Sequence, residues 1–284
     1  MNYLLYNPLA NNGKGDEAKK KALKDIGGQF PGMDDVDYSD VIFEDVIKLL
    51  QPGDNVVVLG GDGTLNFLIN DIKNTGATND ISYYLYPAGL ENDFVKDIAD
   101  KGINTKLVPL NKYIFDVPKV KFNNKEMLFL NSVGFGVDGQ TYDEAETLRS
   151  RGKKINLNSI TSSLLKKYEK TSATVTVDGE KKEYKDVYIA ATMNGRFYTD
   201  GMKAAPEQNR LSHELSLVVI HDQIKGHGMK AISSIYKGMH TKFPEACEIL
   251  KGKKITVTFD SPRAMSIDGE LFENITSYEA FYEN

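Results

Sequence analysis

The 284-residue chain has one cysteine, four histidines and no apolar run long enough to span a membrane. Each shortage excludes something. A lone Cys247 rules out an internal disulfide and any multi-cysteine metal site, and it fits a reducing compartment. It has no support as a nucleophile, and a packed or surface thiol is the expectation. The histidines build no site: His221 and His227 lie in HDQIKGH, a spacing that matches no usual zinc pattern, while His213 and His240 stand apart. Without a Gly-X-Ser-X-Gly elbow, acyl transfer has no starting point. Lys19, Lys20 and Lys21 interrupt the N-terminal region before a signal-like core can form. A cytoplasmic protein is expected, one able to visit the inner membrane face peripherally. The formal net charge of −5 argues against broad nucleic-acid binding. A local basic face is still available in Arg149, Arg151, Lys153 and Lys154, then Lys166, Lys167 and Lys170. A solvated helix surface is the plainer reading of that run.

What the chain does have is the stretch Asn55 to Asn70, NVVVLGGDGTLNFLIN. Val56 to Leu59 is too short for a helix and is bounded by glycines, the pattern of a strand buried on both faces. Leu65, Leu68, Ile69 and Ile72 then fall at i, i+3, i+4 and i+7, one apolar helical stripe. Between them lies Gly60-Gly61-Asp62-Gly63-Thr64. A strand-to-helix turn of this kind leaves backbone N–H groups at a helix N-terminus, where an anion is favoured. The glycines let a phosphate approach the backbone without meeting a Cβ. A carboxylate there would repel phosphate unless a divalent cation lay between them, so Asp62 points to magnesium. The alternative is an ordinary βα turn in which Asp62 only caps the helix.

Length favours two domains, expected at 1–110 and 111–284. Tyr3 to Tyr6 reads as a first strand. A loop from Asn7 through Gly15 follows, then a helix from about Asp16 with Ala18, Ala22, Leu23 and Ile26 inward. The loop is not a Walker A sequence, because Pro8 stands where its first glycine is required and Lys14 precedes Gly15. After a polar connection, Ser39 to Leu50 is a second helix, stopped by Pro52-Gly53. Ser82 to Tyr86 and Lys106 to Leu110 read as further strands, with the turn Pro87 to Asp93 and a short helix between them. This alternation predicts an α/β domain with a mainly parallel sheet, its ligands at the carboxyl ends of the strands. Beyond about Asn111 the rhythm changes. Tyr113–Phe122 and Glu126–Ser132 flank Asn123-Asn124, and Thr174–Val177 and Lys182–Thr192 flank Asp178-Gly179, two hairpin signals. Leu215–His221, Ile255–Phe259 and Ser277–Phe281 are further strands, interrupted by helices near Leu157–Lys170 and Gly228–Lys237. A mainly antiparallel β-sandwich is the expectation for this part.

Acids recur in glycine turns: Asp62, Asp93, Asp138, and Asp268 with Glu270. Phosphoryl transfer needs a cation to neutralise the β- and γ-phosphates and a base near the attacking hydroxyl, and carboxylates supply both. Asp-Gly is also the commonest hairpin turn, which is the expectation for Asp138 and Asp178 alone. Taken in order, the turns resemble the diacylglycerol kinase catalytic-domain superfamily, in particular the bacterial soluble lipid kinases related to sphingosine and ceramide kinases. Asn7-Pro8 with Gly13, Gly60 to Thr64, Pro87 to Phe94, Asn131 to Gly136, Asn194-Gly195 through Met202 and Pro206, and Ile267-Asp268-Gly269-Glu270 carry that resemblance. It covers nearly the whole chain.

The resemblance implies an ATP- and magnesium-dependent kinase that phosphorylates the hydroxyl of a membrane lipid such as diacylglycerol, with the nucleotide between the domains. It implies that Asn7, Gly60, Gly61, Asp62, Gly63, Thr64, Gly89 and Asn92 bind nucleotide and that Asp62 and Asp93 hold magnesium. It further implies Asp268 as general base on the lipid hydroxyl, Glu270 as support for the metal and nucleotide end, and an acid at Asp116 after the last strand of the first domain. Two departures stand out. Leu90 replaces the family's threonine, removing a hydroxyl from the nucleotide side. His213 stands where some members place an aspartate on a structural magnesium, so no such ion is expected. An NAD kinase shares the Gly-Gly-Asp-Gly-Thr turn, but its Thr-Gly-Ser-rich segment is missing. The two departures also keep open a nucleotide- or lipid-binding regulator without turnover.

Overall fold

The structure, a computed structural model, describes residues 1–8, 13–38, 43–77, 80–89, 92–99, 106–136, 168–198 and 201–283. The middle of the first loop (9–12), the start of the second helix at Ser39, Leu90, Asp138, the Leu157–Lys170 helix up to residue 167 and most of the basic run lie outside them. The chain divides into two units, Met1–Val117 and Pro118–Asn284. The first extends to Val117, and Asn111, at the start of a one-turn helix, is fastened to its sheet. The Asn111 side chain accepts from Tyr83 N–H at 2.8 Å and donates to the Ile81 carbonyl at 2.7 Å.

The first unit is built on five strands, β1 (Asn2–Tyr6), β2 (Met33–Asp37), β3 (Asn55–Gly60), β4 (Ser82–Pro87) and β5 (Val108–Pro109), in the order β2-β1-β3-β4-β5. Only β5 runs antiparallel to its neighbour. Helices α1 (Gly15–Ile26), α2 (Phe43–Leu49), α3 (Asp62–Thr75), α4 (Asp93–Ala99) and the one-turn α5 (Asn111–Ile114) connect them. Val56, Val57 and Val58 of β3 are fully buried, as a central strand covered on both faces requires. The α3 stripe Leu65, Leu68, Ile69 and Ile72 is buried against the sheet. Each such side chain contributes roughly 1.5–3 kcal/mol of transfer free energy. Gly76 ends α3 in the left-handed conformation at φ 69° and donates to the Ile72 carbonyl.

β2, MDDVD, is the strand that the sequence hid as a polar connection. An edge strand needs no buried pair of faces, and here Asp35 faces outward to Lys19 at 2.7 Å.

The second unit is one antiparallel sheet that closes on itself, so the antiparallel expectation holds. Its strands are β6 (Lys119–Phe122), β7 (Lys125–Leu128), β8 (Ser132–Gly136), β9 (Thr171–Val177), β10 (Glu180–Met193), β11 (Leu215–His221), β12 (Cys247–Gly252), β13 (Lys254–Ile267) and β14 (Glu270–Phe281). They follow the order β12-β11-β10-β8-β13-β14-β6-β7, and β9 joins β10 to β13. The 14-residue strands β10 and β13 each pair with β9 along one half and with β8 along the other, shifting register between. Bulged strands bend, and the two bent strands wrap the sheet around Phe129, Phe135, Val257, Met265 and Tyr278. On the other side of β10 and β11, α6 (His227–Ser234) covers Val218 and Ile220. Asn123-Asn124 and Asp178-Gly179 are two-residue turns at positive φ, as their hairpin signals predict. Tyr113 to Pro118 is not strand as expected: Tyr113 packs its ring edge-on to Phe94 at 5.3 Å in the first unit. Cys247 is packed inside β12, where burial pushes its thiol up to about 12. Among the described residues no helix is long and apolar enough to cross a membrane.

Candidate functional site

In the first unit the expected residues converge at the carboxyl ends of β1, β3 and β4. The Gly60 carbonyl accepts from Ala88 N–H at 2.9 Å and Gly89 N–H at 3.2 Å, tying the turn after β3 to the turn after β4. A Cβ at Gly60 would lie 2.2 Å from Thr64 Oγ1, so only glycine lets the first turn of α3 close over the strand end. A Cβ at Gly63 would meet nothing within 4 Å; that glycine faces open space. Gly61 is the α3 N-cap, extended at φ −126°, with no side-chain cap. Thr64 Oγ1 lies 3.3 Å from the Tyr38 hydroxyl, whose proton burial makes harder to remove than usual. In the register Leu5↔Val58, Asn7 leaves the sheet level with Gly60. The Asn7-Pro8 backbone then lies against Gly15, whose N–H donates to the Pro8 carbonyl at 3.1 Å.

Asp62 does cap a helix, but not its own. Its Oδ2 accepts from Asp93 N–H at 2.7 Å and its Oδ1 from Phe94 N–H at 2.9 Å, the first amides of α4. These charge-assisted bonds at a helix N-terminus fasten the two glycine turns together. Asp93 is buried, with its carboxylate paired to Lys96 at 2.9 Å. Asn92 Nδ2 donates to the Gly89 carbonyl at 2.9 Å, and Asn92 Oδ1 is buried without a partner. Asp116 is exposed near the end of the unit.

Asp268 and Glu270 belong to the second unit. Asp268-Gly269 is the two-residue turn joining β13 to β14, at φ 47° and 91°, closed by the Ile267↔Glu270 pair. The Asp268 carboxylate accepts three backbone N–H groups: Leu130 on Oδ2, and Asn131 at 2.7 Å and Ser132 at 2.9 Å on Oδ1. The acceptor side of the same backbone is held by Arg210, which donates to the Leu130 carbonyl at 3.2 Å and to Asn131 Oδ1 at 2.9 Å. Asn194 Nδ2 also reaches the Leu130 carbonyl, and Tyr282 donates to Asn194 Oδ1 at 2.7 Å. An anion on the donors and a cation on the acceptors polarise these peptides in the same sense, which strengthens every bond in the group. His213, at φ 55°, stacks on the Tyr282 ring with centroids 5.2 Å apart. Glu270 is exposed at the start of β14.

Two family models match the chain. The diacylglycerol kinase catalytic domain matches residues 2–114. The YegS C-terminal NAD kinase beta sandwich-like domain matches residues 131–278, more than half of the sequence. The chain belongs to the diacylglycerol kinase catalytic-domain superfamily. Among curated relatives, the "Putative lipid kinase YtlR" of Bacillus subtilis strain 168 is 28% identical over 236 residues, covering 76% of this chain and 74% of that protein. The "Putative lipid kinase SAB0675c" of Staphylococcus aureus strain bovine RF122 / ET3-1 is 26% identical over 231 residues, covering 77% and 71%. Among solved structures, a putative diacylglycerol kinase from Bacillus anthracis str. Sterne superposes with a TM-score of 0.71 at 19% identity, covering 100% of this chain and 92% of that one. That likeness speaks for the fold.

Arg210, Tyr282 and Tyr38 went unmarked in the sequence. Arg210 sits in QNRLS, which has no local signal for a buried cation, and Tyr38 ends a stretch of alternating aspartates. Among the described residues no three His, Cys, Asp or Glu side chains group as a metal cage. Asp62 and Asp93 are the two carboxylates of the glycine turns, the first accepting two amides and the second paired with Lys96. Such a set suits magnesium, which binds through one or two carboxylates and takes its other ligands from phosphate oxygens and water. The residues fit the ion on that count.

Proposed function

We propose that the protein is an ATP- and magnesium-dependent lipid kinase that moves the γ-phosphoryl group of ATP to the hydroxyl of a membrane lipid such as diacylglycerol. One observation carries the reading: two glycine turns at neighbouring strand ends are locked together by Gly60 and Asp62, leaving uncapped α3 and the bare Gly63 facing open space. Backbone donors presented this way suit phosphate oxygens. Gly60, Gly61, Gly63 and Thr64 would line the phosphates, with Asn7, Gly89 and Asn92 on the nucleotide. Asn92 Oδ1, buried and without a partner, offers an acceptor for an N–H or O–H donor on that ligand. Asp62 and Asp93 would hold magnesium, which when bound neutralises charge on the β- and γ-phosphates.

Asp268 is proposed here as a positioning residue. Three amides occupy three of its four acceptor positions, and this supports anchoring of the Leu130–Ser132 backbone over the base role that the resemblance implied. Glu270, exposed beside it, keeps the supporting role. The test is incubation of purified protein with labelled ATP, magnesium and a total lipid extract dispersed in detergent. A labelled lipid that disappears when EDTA replaces magnesium is expected. ATP binding with no labelled lipid would favour a regulator, and formation of NADP would favour an NAD kinase.

A further inference from the structure

From Gln223 to Pro244 the second unit contains no Asp or Glu, yet it carries Lys225, Lys230, Lys237 and Lys242 in a chain of net charge −5. The stretch folds as a loop, α6 and two 3-10 turns, Ile235–Lys237 and His240–Lys242. Its inner side is fixed by burial of Ala231, Ile232 and Ile235 against Val218 and Ile220. Its outer side exposes Ile224 (50%), Met229 (36%) and Met239 (41%) together with all four lysines. His227 N–H donates to the Ile224 carbonyl at 3.0 Å, and Met239 N–H to the Ser234 carbonyl at 3.1 Å. Ile224 thus lies in the loop before α6, Met229 on its exposed side and Met239 just past the first 3-10 turn, with lysines between them. The carboxylates bordering the stretch are already held: Asp222 by Lys170 at 2.9 Å and by Gly228 N–H at 3.0 Å, Glu245 by His227 at 2.6 Å with Lys230 adding a weaker attraction.

Single exposed apolar residues need no explanation. Three of them interleaved with four cations that form no ion pair among the described residues do. We propose that this face of the second unit docks on an anionic bilayer, the lysines among the headgroups and Ile224, Met229 and Met239 at the acyl boundary. A helix lying in the interface plane needs this combination of apolar side chains and positive charge. The basic run noted in the sequence ends at Lys170, tied to Asp222 at the foot of this same face. The inference deepens the lipid-kinase reading by naming how the enzyme meets its acceptor, and rests on it for that purpose alone. Vesicle binding requires no phosphotransfer.

The experiment is co-sedimentation of the full chain with phosphatidylcholine vesicles, with or without phosphatidylglycerol, at low and at high salt. Binding only to the anionic vesicles, weakened by salt, is expected. Each lysine near such a surface strengthens partition about fivefold. Lys225→Gln with Lys230→Gln should therefore lower it about 25-fold, and Met229→Ser with Met239→Ser should lower it roughly tenfold or more. Both pairs face solvent, so melting temperature and phosphorylation of detergent-dispersed lipid should stay at wild-type values. Equal binding to neutral vesicles, or wild-type binding by both double variants, overturns the proposal, as does a wild-type dimer that Met229→Ser dissociates in the absence of vesicles. Intact anionic binding with no kinase activity in detergent would sink the kinase reading and leave this surface standing.

Discussion

Asp268→Asn separates an anchoring carboxylate from a catalytic base. The residue sits at φ 47°, a conformation that asparagine adopts readily, so the turn itself survives the change. What changes is the acceptor count. An amide oxygen in the Oδ1 place keeps the Asn131 and Ser132 bonds, but the amide NH2 then faces Leu130 N–H, donor against donor. Leu130 is fully buried and Asn131 and Ser132 nearly so, so the loss falls where the backbone is shielded from solvent. An unsatisfied buried N–H costs about 1–3 kcal/mol, and the loss of charge from the two surviving bonds about another 1 kcal/mol. A total near 3 kcal/mol lowers the melting temperature of a unit this size by roughly 6–12 °C. Scanning calorimetry of the full chain reads the shift, and labelled-lipid formation at 25 °C, normalised to folded protein, reads the chemistry. Anchoring predicts a large shift with turnover still measurable. An unchanged melting temperature with turnover abolished would refute the reasoning and restore Asp268 as the base.

The glycines of the first turn divide in the same way. Gly60→Ala drives a Cβ to within 2.5 Å of the Thr64 Cβ and should cost about 1–3 kcal/mol of stability. Gly63→Ala meets nothing, gains helix propensity and should melt no lower than wild type while binding ATP more weakly by calorimetric titration; unweakened binding would remove phosphate from that place. Acid sensitivity should trace partly to His240, which is fully buried, donates from Nε2 to the Ala204 carbonyl at 2.7 Å, and is held below its usual range by burial. With the folded value depressed, the unfolded chain binds the extra proton. Stability is therefore complete above about pH 6.5 and falls below it by about 1.4 kcal/mol per pH unit until the folded group also protonates. His240→Gln should flatten the melting-temperature profile between pH 7 and 5, and an unchanged slope would exonerate this residue. His221 is buried and lowered in the same sense, so some slope should persist.

The sequence by itself determined the elements whose side chains repeat with one period. The buried run of β3, the α3 stripe, the strand β11 and the two hairpin turns are legible because burial on a known face constrains composition locally. β2 and β12 escaped because edge strands are free of that constraint, and the far half of β13 because a bulge breaks its alternation. The resemblance brought these turns to attention in chain order. It could not say to whom their carboxylates belong. Asp62 serves amides 31 and 32 positions along the chain, and Asp268 serves amides 136 to 138 positions away. Those partners are set by which strands lie side by side and in what register, a product of sheet topology that no local propensity encodes. A carboxylate among glycines reads the same whether it meets a metal, a proton or a helix end, and only the folded backbone around it decides.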